Sequence, residues 1–232
     1  MKLSSRDVAR LIDISAVQAS HGEAEIRECV RRAKEFRFVE VYALPCWITF
    51  LRELLANSLD ILVGAPVGFP SGGNCTEIEL AEAKLVVRDG AQELDMVVNV
   101  GKLRSGAYRY CEDEIRSVVE VAGGRPVKVI LEVHYLDRDQ VKKACELCIN
   151  AGAAFVKTGT GWAPGGATLD MVQFITTFVG TAIKVKASGG IRTLDTLVKM
   201  HRMGVSRFGI NLISAVEIVQ SVAALPGGVV EV

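Results

Sequence analysis

The chain carries no surplus of charge. Its 27 Lys and Arg offset 27 Asp and Glu over 232 residues. Proteins that bind nucleic acid or an anionic bilayer usually show a basic excess, so neither partner is expected. Histidine is scarce, at three residues. No His, Cys, Asp or Glu set has ligand spacing, so neither a metal nor a cofactor is expected. No apolar run reaches the ~18 residues that a membrane helix needs. The N-terminus lacks a basic stretch followed by an apolar one, so no signal peptide is read and a cytoplasmic setting is expected. The six cysteines are scattered, which suits reduced thiols. Cys145 and Cys148 form a lone C-x-x-C inside a helical pattern and read as ordinary helix residues. No G-x-G-x-x-G follows the first strand, which argues against a dinucleotide site.

Half of the residues are hydrophobic, enough for a large core. Short apolar runs alternate with helical patterns along the whole chain. Strands are expected near Leu11–Ile14, Phe38–Leu44, Ile61–Pro66, Leu94–Val98, Val127–Val133, Ala154–Lys157, Ile183–Lys186 and Arg207–Ile210. The runs read as apolar on both faces, as buried parallel strands do. Asn74 or Thr76 is expected to cap the helix that runs to Asp89. Gly90, Gly152 and Gly204 each follow a helix and precede a strand, where glycine supplies a left-handed turn. Eight strand–helix units predict one α/β domain over residues 1–232, a (β/α)8 TIM barrel. A doubly wound open sheet is the alternative.

The chemistry is expected at strand exits. Phe155-Val156-Lys157-Thr158-Gly159-Thr160-Gly161 is an apolar strand that meets a lysine and then a glycine-rich loop. Ile183-Lys184-Val185-Lys186-Ala187-Ser188-Gly189-Gly190 repeats the arrangement. An amine inside an apolar strand costs several kcal/mol unless it is paired or neutralised. Asp13, Asp95, Asn99, Lys128 and Glu132 are the other polar residues in or beside strands. Side chains alternate along a strand, so Lys184 and Lys186 share a face, as do Lys128 and Glu132. A second ammonium ~5 Å from a lysine raises its energy by ~3 kcal/mol at an effective dielectric of ~20, or about two pKa units. Such a lysine is a free amine near neutral pH and can attack a carbonyl. Gly161, Gly189, Gly190 and the helix start after Gly209 follow successive strands, and backbone amides at such turns bind phosphate.

Four segments carry a resemblance: Glu93-Leu94-Asp95-Met96-Val97-Val98-Asn99, Val127 to Glu132, Phe155-Val156-Lys157-Thr158, and Val185-Lys186-Ala187-Ser188-Gly189-Gly190-Ile191-Arg192. They resemble the signature segments of the deoxyribose-phosphate aldolase family, and the likeness runs from about Phe36 to Val219. It implies a class I, metal-free lyase on a (β/α)8 barrel, acting on a small phosphorylated aldehyde or sugar. It implies that Lys157 forms the Schiff base, that Lys186 lowers its pKa, and that Asp95 relays protons. Lys128, Asp13 and Asn99 are expected to support them, and Gly161, Gly189, Gly190 and Asn211 to hold the phosphate. A homo-oligomer, dimer or tetramer, is expected.

The chain departs from the family at several places. Asp13-Ile14-Ser15-Ala16-Val17 retains only the aspartate of Asp-His-Thr-Leu-Leu. Gly159 stands in the lysine loop where a serine is usual. Asn211-Leu212 replace paired serines, which implies a weaker hold on phosphate. Lys184 takes a place that is usually small or neutral, and Val133-His134 replace a threonine and a small residue. His134 is expected to be structural, and Cys46 to pack in the core or border the pocket. The tail Pro226-Gly227-Gly228-Val229-Val230-Glu231-Val232 lacks the terminal tyrosine that some relatives use. These departures leave open an aldolase for another hydroxy-aldehyde or keto sugar, and a non-catalytic sugar-phosphate barrel.

Overall fold

The strands expected from the sequence close on themselves. The structure, a computed structural model, describes residues 1–232. In chain order its elements are β1 (Lys2–Ser4), α1 (Ser5–Ala9), β2 (Ile12–Ala16), α2 (Glu23–Phe36), β3 (Glu40–Ala43), α3 (Ile48–Leu54), β4 (Leu62–Val67), α4 (Thr76–Arg88), β5 (Glu93–Val97) and α5 (Val100–Arg104). They continue with α6 (Tyr108–Val121), β6 (Val127–Ile130), α7 (Arg138–Asn150), β7 (Phe155–Lys157), α8 (Leu169–Val179), β8 (Lys184–Ser188), α9 (Leu194–Arg202), β9 (Arg207–Asn211), α10 (Leu212–Ala223) and β10 (Val229–Glu231). Strands β2 to β9 form a closed parallel barrel in sequence order, with β2 paired to β9. The open sheet is thereby excluded.

Local chemistry explains the boundaries. Gly90, Gly152 and Gly204 all adopt left-handed φ, at 109°, 80° and 104°, and turn each helix back toward the next strand. Asp137 caps α7 by accepting from the Gln140 amide at 2.8 Å, and Gln140 reciprocates. The cap expected for α4 is not formed. Cys75 holds that position without a side-chain bond, and the Thr76 hydroxyl bonds Glu114 instead, tying α4 to α6.

The two faces of the barrel strands differ, contrary to the reading of both as apolar. Ile12, Ile14, Val41, Val63, Leu94, Met96, Val129, Val156 and Phe208 point outward and are buried under the helices. Each such side chain contributes roughly 1.5–3 kcal/mol of burial. The alternate positions point inward, and eight of them are charged. They are Asp13, Glu40, Glu93, Asp95, Lys128, Lys157, Lys186 and Arg207, linked to one another by ion pairs.

The termini add a ribbon outside the barrel. Strand β1 pairs antiparallel with β10, setting Lys2 against Glu231. Arg202, at the C-terminal end of α9, donates to the Glu231 carbonyl at 3.0 Å. Helix α9 ends where β9 begins, so the ribbon sits at the N-terminal end of the barrel strands. Active sites of such barrels lie at the opposite end. The tail therefore does not reach over the site. Deleting Val229–Val232 is expected to leave kcat and KM within about twofold while lowering Tm, because only a short exposed ribbon is lost. Steady-state assays and a thermal melt check this.

Candidate active site

Four strands bring one carboxylate and three amines together. Asp95 on β5 accepts from Lys157 on β7 and from Lys186 on β8, both at its Oδ2 and both at 2.7 Å. Its Oδ1 accepts from the Tyr42 hydroxyl on β3 at 2.6 Å. Lys128 on β6 donates to the Tyr42 oxygen at 2.7 Å and stands 3.4 Å from Asp95 Oδ1. Asp13 on β2 lies 2.7 Å from Lys186 and takes a 2.7 Å bond from Arg207 on β9. The register aligns Asp95 with Lys128 and Lys157 with Lys186, so the cluster follows directly from strand pairing.

Burial separates the lysines. The side chain of Lys157 keeps 10 % exposure, against 1 % for Lys186 and none for Lys128. Only Lys157 and Lys186 line the cavity at the strand exits, and Lys157 is the more accessible amine. Burial lowers the Lys157 pKa, Asp95 raises it, Lys186 lowers it again, and the outcome is about 8. Burial would raise Asp95, but Lys157, Lys186 and Lys128 together hold it well below the usual carboxylate range. Asp13 is also lowered, as Lys186, Lys128 and Arg207 outweigh its burial. Lys128 is raised, because Glu40, Asp95, Asp13 and Glu93 outweigh its desolvation. The site thus offers a partly free amine beside a firmly ionised carboxylate. That pair can attack a carbonyl and move the protons that follow.

The far side of the cavity is built from backbone. Gly161, Gly189 and Gly190 line it with φ of 82°, 94° and 85°. Asn211 also lines it, as the cap of α10, and its side chain accepts from the Ser214 amide at 3.0 Å. The N-terminus of α10 therefore opens on the cavity, a place that favours anions. Arg192 brings a guanidinium to the same wall.

Several expected residues are elsewhere. Asn99 caps α5, accepting from the Lys102 amide at 3.0 Å, and does not line the cavity. Lys128 lies beneath the cavity instead of facing it. Lys184 begins β8 at the opposite end of the barrel, exposed, with its amine 5.4 Å from the Phe155 ring. It shares a face with Lys186 but adds no field at the cavity rim. Glu132 lies past the end of β6 in a left-handed turn, φ 53°, and accepts from the Thr160 hydroxyl and amide. A Cβ on Gly159 would stand 2.8 Å from Glu132 Oε1, which accounts for glycine in the lysine loop. Leu212 packs on the core and does not line the cavity. Cys46 is exposed and His134 packs edge-to-face against Tyr135, both outside it. Cys145 and Cys148 are free and buried in α7, with thiol pKa values pushed up by burial. Tyr42, Arg192 and Gln18 line the cavity without having been read as site residues. Only Arg192 carried a signal, its place after the paired glycines.

A model of the DeoC/LacD family of aldolases matches residues 16–211. The chain belongs to that family. It is 50% identical over 226 residues to the deoxyribose-phosphate aldolase of Rhizobium meliloti, covering 97% of this chain and 91% of the relative. It is 44% identical to that of Klebsiella pneumoniae, covering 91% and 86%. Among solved structures, an aldolase called QR15 superposes with a TM-score of 0.87 at 38% identity, covering 93% of this chain and 95% of that one. The Aeropyrum pernix enzyme, described as a tetrameric deoxyribose phosphate aldolase, gives 0.87 at 30% identity, covering 96% and 94%. As a DeoC/LacD aldolase the protein is a lyase of the barrel class, and the non-catalytic alternative is set aside.

The Lys157–Lys186 pair yields a prediction. Lys186→Met removes one cause that holds the Lys157 amine near 8. Its pKa is expected to rise by about two units, from the repulsion of ~3 kcal/mol at ~5 Å. A protonated amine does not attack, so the acid limb of the pH–rate profile moves upward. An unmoved limb with a lower maximum would make Lys186 a proton donor instead.

Proposed function

We propose that the protein reversibly cleaves 2-deoxy-D-ribose 5-phosphate to acetaldehyde and D-glyceraldehyde 3-phosphate through an imine on Lys157. The observation that carries this reading is the Lys157 amine, open to the cavity and hydrogen-bonded to Asp95, with its pKa lowered to about 8. The names of the relatives from Rhizobium meliloti and Klebsiella pneumoniae point to the same substrate.

The chemistry runs as follows under this reading. The Lys157 amine adds to the sugar aldehyde to give a carbinolamine. Ionised Asp95 takes a proton from the nitrogen as that bond forms and hands it to the carbinolamine oxygen; with one further proton from solvent the oxygen leaves as water, and a protonated imine remains. That cation draws electrons from the neighbouring C–C bond as the adjacent hydroxyl loses its proton. Glyceraldehyde 3-phosphate departs and an enamine stays on Lys157. Protonation of the enamine carbon and hydrolysis release acetaldehyde and the free amine. Lys186 stabilises the ionised state of Asp95 between these transfers, and Asp13 and Arg207 hold Lys186 in place from below.

The phosphate belongs at the backbone wall. Gly161, Gly189, Gly190 and the start of α10 bind it through amides, and Arg192 provides the cation. Arg192 then offsets the hydroxyl that Leu212 does not supply. A second reading, an acceptor without phosphate, is favoured by Leu212 alone. In this proposal the enzyme works in the cytoplasm, in keeping with six unpaired cysteines, and as a homo-oligomer, dimer or tetramer.

Borohydride with acetaldehyde, followed by peptide mass spectrometry, is expected to label Lys157. A label confined to Lys186 would assign the nucleophile there. Lys157→Leu is expected to lose turnover and to fold with lowered stability, since Asp95 loses one buried partner but keeps Lys186. Arg192→Met is expected to raise KM for deoxyribose 5-phosphate by about tenfold to a hundredfold, the loss of one charge-assisted hydrogen bond. The KM for unphosphorylated deoxyribose should hardly change. Equal losses on both substrates would remove Arg192 from the phosphate site.

A further inference from the structure

The loop from Gly161 to Thr168 is tied down at both ends. At its start Thr160 bonds the Glu132 carboxylate through hydroxyl and amide, and the Trp162 amide donates to the Thr160 hydroxyl oxygen at 2.9 Å. At its end Thr168 caps α8, accepting from the Met171 amide at 3.1 Å. Between these anchors the loop leans on the wall of the cavity. The Ala167 amide donates to the Gly189 carbonyl at 2.9 Å. Gly189 and Gly190 line the cavity, whereas Gly165, Gly166 and Ala167 do not.

Two glycines in this loop meet different neighbours. A Cβ on Gly166 would overlap the Gly189 oxygen and lie 2.5 Å from its carbonyl carbon and 2.8 Å from its Cα. All three are backbone atoms, so relief requires the wall itself to move. A Cβ on Gly165 would overlap the His134 ring, 3.2 Å from its Cγ. His134 is an exposed side chain and can turn aside. Neither glycine is among those with left-handed φ, so the requirement at both is space.

The contact at Gly189 fixes a direction. A trans peptide is planar, so its carbonyl and the N–H that follows point to opposite sides. The Gly189–Gly190 peptide is trans. With the Gly189 carbonyl held by Ala167, the Gly190 N–H points away from the loop. That N–H donates to no group of the protein. The two glycines have φ of 94° and 85°, and glycine sets few limits of its own on a backbone in this region.

We propose that Gly166 and Ala167 form a positioning strap, which sets the Gly189–Gly190 peptide so that the Gly190 N–H faces an anion in the cavity. The inference rests on the phosphate reading of this wall and adds two residues that lie behind it. Arg192 brings charge to the wall, and the strap brings direction. An amide oriented in advance needs no reordering when the anion arrives. No residue of the strap takes part in the ion pairs that join Lys157, Lys186, Asp95 and Asp13, so the strap acts on the anion and not on the amine.

Gly166→Ala and Gly165→Ala test this as a pair, since both restrict the unfolded chain alike. Steady-state assays use deoxyribose 5-phosphate and unphosphorylated deoxyribose, with inorganic phosphate as the competing probe. Gly166→Ala is expected to raise KM for the phosphorylated sugar, and the inhibition constant of phosphate, by about tenfold or more, the loss of one hydrogen bond to a charged acceptor. Its kcat on either sugar and its KM for deoxyribose are expected to move by less than about twofold. Gly165→Ala is expected to shift none of these constants. Equal shifts in the two variants, or equal losses on the two sugars in Gly166→Ala, overturn the strap. Phosphate that competes with the same constant in wild type and Gly166→Ala overturns the strap alone. Phosphate that does not compete in wild type overturns the phosphate reading, and the strap falls with it. Should Gly166→Ala not fold, hydrogen exchange in the wild type decides. The Ala167 amide must release Gly189 before it exchanges, and phosphate opposes that release. Phosphate at ten times its Kd is expected to slow this amide about tenfold. Exchange that phosphate leaves unchanged overturns the proposal.

Discussion

One carboxylate oxygen shared by two lysines governs the upper half of the barrel. Asp95 Oδ2 accepts from Lys157 and Lys186 at the same 2.7 Å. Two amines that close repel by ~3 kcal/mol if both are charged. A carboxylate serving one lysine alone would lock it as an ammonium. Shared between two, it offsets their repulsion and leaves the more accessible one near its titration point. A partly free amine thus arises from division of a single negative charge, and desolvation at the strand exit adds to the effect.

That arrangement is stable only because the layer beneath is also paired. A buried ion left without its partner costs about 3–5 kcal/mol. The inner face therefore behaves as one unit, and its geometry is set by where side chains are absent. A Cβ on Gly209 would meet Ser188 Oγ at 2.7 Å and Lys186 Cε at 3.4 Å. Gly64 leaves space for Tyr42 and Glu40 in the same way, and Gly159 for Glu132. None of the three is among the glycines with left-handed φ. They hold room for charged neighbours, whereas Gly161, Gly189 and Gly190 turn the backbone.

The fold was legible because its signals are local. Strand-length apolar runs and the glycines at 90, 152 and 204 recur at short range and count out eight units. Lys157, Lys186 and Asp95 were legible because a charge inside an apolar strand demands an explanation. Glu40, Glu93 and Arg207 were not, since an acid or arginine at the first position of a strand reads as a solvent-facing rim. Closure of the barrel pairs Arg207 with Glu40 across 167 positions, which no local pattern records. Asn99 misled for the opposite reason. It follows β5 directly, yet its amide is spent on the backbone three residues on. Lys184 shares the inward face with Lys186 as expected, but two positions along a strand amount to ~7 Å, enough to exit the other end.

The two ends of the cavity are constrained differently, and this bears on where the chain departs from its family resemblance. At the amine end eight charged side chains balance one another, so a single change of charge disturbs the other seven. At the glycine end the wall is backbone, formed by glycines with positive φ and the start of α10. Amides bind an anion whatever side chains stand behind them. Leu212 could therefore replace a hydroxyl there and turn its side chain to the core without dismantling the wall. The position before it carries an asparagine in place of a serine and still caps α10, its side chain accepting from the Ser214 amide. Substitution at that end leaves the charge balance around Lys157 untouched.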